Sequence, residues 1–278
     1  GGPGLTIGRK GLEPIFDFID TAGDKPFFIW YAPFLPHTPH NPPERLLSKY
    51  KVEGKSIHVA RYQAMCEWFD ETCGELLGYL DKKKLRDNTL VVFVTDNGWI
   101  QKVQSRGSDV RSKRSPYDGG IRTPIMLRWP GKLKPARHET LVSSIDLAPT
   151  ILAAAGLEAA PGMQGLNLLD VCAAGGKSSR TKIFGEIFEH DVVKIDDPAP
   201  GLLYRWCILD EWKLILPHRG SPVISRKRKT RYRDPIWDTP QLFNLSVDPH
   251  ETKDVKGQAA RIAAMSSDIE RWWKVEKP

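Results

Sequence analysis

Two adjacent oxygen-bearing side chains stand at the end of an apolar run. The run Val91–Val94 leads through Thr95 into Asp96, Asn97 and Gly98. Because it is short, apolar and mostly β-branched, it predicts a buried strand that delivers Asp96 and Asn97 to the edge where open α/β sheets bind ligands. A carboxylate beside an amide suits a hard cation such as Ca²⁺ or Mg²⁺, which takes oxygen ligands. We therefore predict metal ligation by Asp96 and Asn97, with a plain Asn-Gly turn as the alternative.

The elements before this strand determine which side chains share its edge. Phe27–Ala32 predicts a buried strand, and the proline-rich loop that follows carries His37 and His40. Residues 56–84 repeat apolar side chains at three- and four-residue steps and predict a long helix. The order strand, helix, strand implies a right-handed crossover and a parallel pair. We therefore expect His37 at the same sheet edge as Asp96 and Asn97.

Beyond Asn97 the pattern changes twice. Residues 98–120 form a polar loop whose length is typical of functional loops, and residues 124–129 predict another strand. A helix capped by Ser144 is expected over residues 144–155. Four short strand-like runs and a terminal helix then follow, at 183–188, 204–209, 213–216, 241–245 and 257–274.

These elements predict an α/β fold in two parts. Residues 1–160 are expected to form a mostly parallel sheet flanked by helices. Residues 161–278 are expected to form a smaller α+β subdomain, with an antiparallel sheet and a helix. The start of the chain has no initiator Met and no secretory signal, which indicates a processed product or a fragment.

Composition limits the partners. The chain has 278 residues and a formal net charge of +7, most of which comes from one basic run over residues 226–233. This run is either a solvated loop or a platform for a polyanion. No zinc spacing, aromatic RNA-binding signature or recognition-helix pattern points to nucleic acid, and no apolar run reaches the length of a membrane span.

Taken together, these segments resemble the formylglycine-dependent sulfatases of the alkaline phosphatase superfamily. Five segments match the family in order and together extend over nearly the whole chain. They are Phe27–Pro39, Val91–Gly98, Lys113 with Tyr117–Pro124, Ser144–Leu152 and Gln241–Glu251. Each segment alone is a weak signal, whereas five in order are highly specific.

The resemblance implies a role for each candidate side chain. Asp96 and Asn97 match metal ligands of the family, and the expected metal is Ca²⁺ or Mg²⁺. His37 matches a histidine that contacts the sulfate or the leaving-group oxygen, with His40 as the alternative. Lys113 matches a lysine that also holds the sulfate, and a solvated lysine is the other interpretation. Cations near the reacting group offset the anionic charge of a sulfate ester.

One departure from the family limits what this chain can do alone. The nucleophile of the family is a formylglycine made from Cys or Ser in a C/S-x-P-x-R motif, and no such motif occurs here. The early paired aspartates and the G-K-x-x-H segment are also missing, and in the family all of these lie upstream. We therefore expect a C-terminal portion of a sulfatase that is inactive alone and binds metal poorly, with formylglycine upstream of Gly1.

Three functions follow as hypotheses. The first is a sulfuric ester hydrolase that acts on a sulfated small molecule or glycan and is exported, as the family implies. The second is a phosphonate or phosphodiester hydrolase of the same superfamily. The third is a non-catalytic module that holds polyanions through its basic face.

Overall fold

The computed structural model describes residues 6–218 and 239–275. The basic run at residues 226–233 lies outside the described residues. The chain divides into two compact units. The first unit contains the described residues up to Val91 together with Gln101–Asp109 and Trp129–Lys132. The second contains Val92–Ile100, Val110–Arg128 and the described residues from Leu133 onward.

Three helices build the first unit. They are α1 (Glu13–Ala22), α2 (Glu44–Tyr50) and α3 (Ile57–Lys82). The predicted long helix begins where expected, because the side chain of Ser56 accepts a hydrogen bond from the backbone N–H of His58 and so satisfies one free donor of the first turn. One apolar core joins α1 to the end of α3, and its buried residues are Leu12, Ile15, Ile19 and Leu80.

The predicted strand at Phe27–Ala32 differs from expectation. The segment has no regular secondary structure and is paired with no strand among the described residues, and its residues alternate between half-buried and exposed. Phe28 and Trp30 are 65% and 84% exposed. The expectation of a fully buried strand paired with Val91–Val94 is therefore wrong for the described chain, because no neighbouring strand supplies the hydrogen bonds and the second covering face that such a strand needs.

The sheet that carries the Asp96–Asn97 turn has two strands. β1 (Val91–Val94) is hydrogen-bonded to β2 (Ile125–Arg128). The polar loop between them ends in the short helix α4 (Asp118–Ile121).

Two further helices, α5 (Leu147–Ala154) and α6 (Leu168–Ala173), pack against each other. A 3₁₀ turn over Ser144–Asp146 precedes α5, so the N-cap position falls on Ser143 rather than on the predicted Ser144. The shift is one residue, because the capping box joins Asp146 to Ser143, whose backbone N–H donates to the Asp146 carboxylate at 2.8 Å.

The C-terminal sheet has four antiparallel strands in the order β3-β4-β5-β6. These are β3 (Lys182–Phe188), β4 (Leu202–Leu209), β5 (Trp212–Pro217) and β6 (Gln241–Asn244), and α7 (Ala259–Trp272) follows. All four strands and α7 were predicted from the sequence to within two residues at each end. The structure confirms this antiparallel sheet with its terminal helix.

Successive side chains of a strand point to opposite sides of a sheet. In this sheet each side packs in its own apolar core, so both faces are covered. Leu214 and Leu242 pack with Met265 and Ile269 of α7. Ile215 and Phe243 belong to a second core that includes Tyr117, which belongs to the polar loop. Each fully buried side chain of this size contributes about 1.5–3 kcal/mol of hydrophobic stabilisation. The second core therefore joins the polar loop to the C-terminal sheet.

Within the described ranges, no helix is both long enough and apolar enough to cross a lipid bilayer. The boundary predicted near residue 160 remains a prediction.

Candidate functional site

The Asp96–Asn97 turn follows β1 directly. Asp96 is exposed, and one of its carboxylate oxygens, Oδ1, accepts a hydrogen bond from the backbone N–H of Asn97 at 2.8 Å. The Asn97 side-chain nitrogen, Nδ2, donates to the carbonyl of Gly98 at 3.0 Å. The turn is therefore held by its own polar groups, while the Asp96 carboxylate stays accessible to a ligand.

Glycines bring this turn against the polar loop. The backbone N–H of Gly98 donates to the carbonyl of Gly120 at 2.9 Å. A Cβ added to Gly98 would overlap the carbonyl of Gly119, and one added to Gly120 would overlap the carbonyl of Ser112. Glycine permits this close approach of backbone to backbone because it has no Cβ. As a result, the Asp96–Asn97 turn lies beside the loop that carries Lys113.

Lys113 lies within a tight turn. The N–H and the hydroxyl of Ser115 both donate to the carbonyl of Ser112, at 3.0 and 2.6 Å. The hydroxyl of Ser112 in turn accepts the backbone N–H of Ile100 at 2.9 Å. Ser112 and Ser115 are buried, whereas Lys113 between them is half-buried. The backbone on both sides of Lys113 is therefore fixed, while Lys113 itself stays partly exposed. Arg114, its neighbour in the same turn, adopts a positive φ of 69°.

A buried ionic cluster supports this loop, and the sequence did not single it out. Lys213 of β5 is completely buried, and its ammonium nitrogen lies 2.7 Å from a carboxylate oxygen of Asp118 and 2.7 Å from one of Glu251. Burial raises the pKa of Glu251, and the Lys213 ammonium and the Asp118 N–H oppose that shift. In the sequence, the signal for this cluster was a single lysine inside an apolar strand. Its partner Asp118 lies 95 residues earlier in the chain, and its partner Glu251 follows β6.

Asp146 is a second buried carboxylate. It lies in the turn that precedes α5, and its main partner is Arg180 rather than the helix dipole. The two carboxylate oxygens accept from the two terminal nitrogens of Arg180 at 2.6 and 2.7 Å. They also accept the backbone N–H groups of Ser143 and Leu166 at 2.8 and 2.7 Å. A helix-dipole interaction alone would have left Asp146 at the surface.

The proline-rich loop lies in the first unit, and Arg9 fastens it. A terminal nitrogen of Arg9 donates to the side-chain oxygen of Asn41 at 2.6 Å, and its other terminal nitrogen donates to the carbonyl of Pro39 at 3.4 Å. His37 is exposed on this loop, with its ring edge-on to Phe34. An exposed imidazole on a fastened loop is available to a ligand. Whether His37 meets the Asp96–Asn97 turn remains a prediction.

His40, the alternative to His37, has a different environment. Its ring is half-buried against Tyr62. Burial, together with the positive charges of His37, Arg9 and His58, lowers the pKa of His40. This environment disfavours the protonated form that would attract an anion, so His37 stays the predicted sulfate contact and His40 the alternative.

The donor atoms at Asp96 and Asn97 fit part of a calcium or magnesium site. Carboxylate and amide oxygens are the ligands that these cations take, but Ca²⁺ uses six to eight of them. In residues 6–218 and 239–275, no group of three or more His, Cys, Asp or Glu side chains forms a metal-binding cluster. Asp96 and Asn97 would therefore act together with further ligands, and the identity of the metal remains a prediction.

Comparison with known proteins tests the resemblance. A family model described as Sulfatase matches residues 9–157, which is more than half of the chain. A second model, described as N-sulphoglucosamine sulphohydrolase, C-terminal, matches residues 109–274. Both matches include the loop that carries Lys113.

Curated relatives agree with this family. An N-acetylgalactosamine-6-O-sulfatase of Bacteroides thetaiotaomicron is 26% identical over 265 residues, covering 91% of this chain and 48% of the relative. Human arylsulfatase A is 28% identical over 245 residues, covering 85% of this chain and 46% of the relative. The chain thus spans about half the length of the curated relatives it matches.

Solved structures show the same fold. The crystal structure of Ps i-CgsB aligns with a TM-score of 0.71 and 25% identity, covering 96% of this chain and 55% of the other. A phosphonate monoester hydrolase from Silicibacter pomeroyi aligns with a TM-score of 0.58 and 24% identity, covering 77% and 40%. The predicted alkaline-phosphatase-like α/β class with a small antiparallel sheet is confirmed. On the family match over residues 9–157, this chain belongs to the sulfatase family.

Proposed function

We propose that the protein hydrolyses sulfate esters and that this chain contributes four residues to its active site. Asp96 and Asn97 would ligate a divalent cation, while Lys113 and His37 would hold the sulfate. The observation that carries the proposal is the backbone packing of Gly98 against Gly119 and Gly120, because it sets two candidate metal ligands beside the candidate sulfate-binding lysine.

The chemistry of these side chains suits a sulfate ester. Lys113 is half-buried, and a charge that is partly shielded from water interacts more strongly with an anion than a fully hydrated one does. The imidazole of His37 can carry a proton to the leaving-group oxygen near neutral pH. When bound, a divalent cation would offset further negative charge on the sulfate, and the formylglycine expected upstream would supply the nucleophile.

A sulfated carbohydrate is the proposed substrate class. The name of one relative, the N-acetylgalactosamine-6-O-sulfatase of Bacteroides thetaiotaomicron, specifies a sulfated sugar. An endo-4-O-sulfatase of the same organism, named for the 4-O position of the sulfate, is 28% identical over 91% of this chain. Ps i-CgsB was also solved in complex with k-i-k-neocarrahexaose. An exported location belongs to the same proposal, as does a basic platform at residues 226–233.

The test is turnover by the protein expressed from its whole gene. With an aryl sulfate as substrate, Lys113→Ala should lower kcat/KM by about 10²–10⁴-fold, the usual contribution of a positioned proton donor or charge. The matched control is Lys134→Ala, which removes an exposed lysine of the same unit and should leave kcat/KM unchanged. Equal activity of Lys113→Ala and the unmodified protein would overturn the role of Lys113. The 278-residue chain assayed alone should show no turnover, and measurable turnover would contradict that expectation.

The second candidate is a phosphonate or phosphodiester hydrolase. It is favoured by the structural match to the phosphonate monoester hydrolase, although that match covers 77% of the chain against 96% for Ps i-CgsB. The ratio of kcat/KM for an aryl sulfate to that for an aryl phosphonate monoester separates the two. A ratio above one supports the sulfatase, and a ratio below one supports the alternative.

The non-catalytic hypothesis makes its own prediction. A polyanion-binding module would bind heparin in a salt-sensitive manner, and Asp96→Ala and Lys113→Ala would leave that binding unchanged. Salt-sensitive binding without any ester hydrolysis by the product of the whole gene would favour this hypothesis over both enzymes.

A further inference from the structure

The structure points to Glu251 as a positioning residue for Lys113, acting through the buried cluster with Lys213 and Asp118. We propose that this cluster fixes the loop between Arg111 and Asp118 so that the Lys113 amine meets the substrate. The proposal rests on the role given above to Lys113 in sulfate binding. It extends that role to Glu251, which lies 133 residues after Asp118 in the chain.

Glu251 contacts the loop on both sides of Lys113. Its carboxylate accepts the backbone N–H of Asp118 at 2.5 Å. Its backbone carbonyl accepts a hydrogen bond from the guanidinium of Arg111. Lys113 lies between these two attachment points, so a displacement of Glu251 would move both ends of the segment that carries Lys113.

The local backbone is consistent with a fixed attachment. Glu251 is 1% exposed and adopts a φ of 54°, a left-handed conformation that non-glycine residues seldom adopt. The Asp118 carboxylate binds Lys213 while its N–H binds Glu251, so the three residues form a closed ring of contacts. A residue with this many buried contacts cannot shift without breaking several of them.

Two contacts of Tyr117 extend the support to the C-terminal sheet. The hydroxyl of Tyr117 donates to the side-chain oxygen of Gln241 in β6 at 2.7 Å. The Arg111 guanidinium stacks on the Tyr117 ring, 4.8 Å from its centre. The residues that flank Lys113 on either side are thus held to the sheet by Glu251, Lys213 and Gln241.

Stability alone is a weak explanation for this cluster. Removing a lysine and two carboxylates from water costs several kcal/mol per ion, which their mutual attraction at best offsets, and well-packed apolar side chains at such positions are often as stabilising. What a buried ionic cluster supplies beyond an apolar one is a single geometry. Here the part held in that geometry is the loop that carries Lys113.

A double-mutant cycle in the protein expressed from its whole gene tests the proposal, with an aryl sulfate as substrate. Glu251→Gln alone should lower kcat/KM by about 10²-fold, as a displacement of about 1 Å in a reacting group can. In the Lys113→Ala background, the same change should lower kcat/KM by less than about threefold, because the group it positions is already gone.

The matched control is Asp146→Asn, which breaks another buried ion pair in the same unit. Any loss of activity that it causes through lower stability should be the same in both backgrounds. Arg111→Ala gives a second route to the same test, since Arg111 is only half-buried and its loss spares the core of the cluster. Arg111→Ala should also lose most of its effect in the Lys113→Ala background.

The outcomes separate the two proposals. If Glu251→Gln and Arg111→Ala each multiply the loss caused by Lys113→Ala, Glu251 is merely structural and the inference is overturned. If Lys113→Ala itself has no effect on kcat/KM, the proposed role of Lys113 fails first. Loss of activity by Glu251→Gln or Arg111→Ala that disappears in the Lys113→Ala background supports both.

Discussion

Asp96 and Asp146 both lie in segments that match the sulfatase family, yet their surroundings are opposite. Asp96 is exposed, and its recorded hydrogen bond comes from the next residue in the chain. Asp146 is completely buried and accepts four hydrogen bonds, from both terminal nitrogens of Arg180 and from two backbone N–H groups. The oxygens of Asp146 are occupied by the fold, whereas Asp96 keeps oxygen available for a ligand.

The two lysines repeat the contrast. Lys213 is completely buried between two carboxylates, while Lys113 is half-buried on a turn fixed by its neighbours. These pairs show that, in this molecule, a charged side chain fully paired with other protein groups stabilises the fold and holds its neighbours in position. Charge left accessible is the charge that can act on a substrate. This difference can be tested by changing one member of each class.

The largest effect on stability is expected at Asp146. Asp146→Asn would leave the guanidinium of Arg180, whose side chain is only 10% exposed, without its counter-charge. Breaking a buried pair in this way costs about 3–5 kcal/mol. Urea unfolding measures the loss, and Asp170→Asn, at an exposed position on α6, should change the free energy of unfolding by less than about 0.5 kcal/mol. Equal midpoints for the two variants would break the contrast.

A smaller loss is expected at Gly98. Gly98→Ala places a methyl group against the backbone carbonyl of Gly119, which cannot move aside as a flexible side chain can. Overpacking of this kind costs about 1–3 kcal/mol. Gly74→Ala is the matched control, since Gly74 lies inside α3 with no neighbouring atom in the way. That change should raise the free energy of unfolding by about 0.5–1 kcal/mol. A neutral Gly98→Ala would show that the turn does not need the close approach.

Asp96→Asn should hardly alter stability. Asp96 is exposed and forms no ion pair within residues 6–218 and 239–275, and replacing such a carboxylate changes the free energy of unfolding by less than about 0.5 kcal/mol. In the protein expressed from its whole gene, the same variant should retain less divalent metal and lose aryl sulfate turnover. Metal content by elemental analysis, beside urea unfolding, checks both halves. A large loss of stability with full metal content would place Asp96 in the same class as Asp146.

The smallest effect is expected at His40 and depends on pH. Burial and the positive charges of His37, Arg9 and His58 hold the pKa of His40 below its ordinary value of 6.5. The unfolded chain therefore binds more protons than the folded chain as pH falls through about 6.5, so this contribution to stability is present above that pH and is lost below it.

His40→Gln should remove that acid-dependent loss, so the fall in Tm between pH 7.5 and pH 5.5 should be smaller in the variant than in the unmodified protein. His190→Gln, at an exposed position, should leave the fall unchanged. Identical Tm profiles for His40→Gln and the unmodified protein would show that the buried environment of His40 has no energetic consequence.

Much of this molecule was predictable because its signals are local. The spacing of apolar residues predicted α3 and the C-terminal strands, since one face of a helix or strand must be buried whatever covers it. The position of Asp96 and Asn97 directly after β1, and of glycines in the polar loop, likewise follows from neighbouring residues. The strand predicted at Phe27–Ala32 pairs with no other strand of the described residues. Pairing could not be predicted because the sequence of one segment does not reveal which distant segment will lie beside it.

What the sequence by itself determined is the set of helices and strands that hold the candidate residues. Only the tertiary structure decided which charged side chains are fully paired with other protein groups. Lys213 finds Asp118 across 95 residues, and Asp118 finds Glu251 across 133, so no spacing along the chain reveals the cluster. The physical reason is that periodicity reports the face on which a side chain lies, whereas a buried charge is satisfied by whichever distant groups folding brings within hydrogen-bond distance.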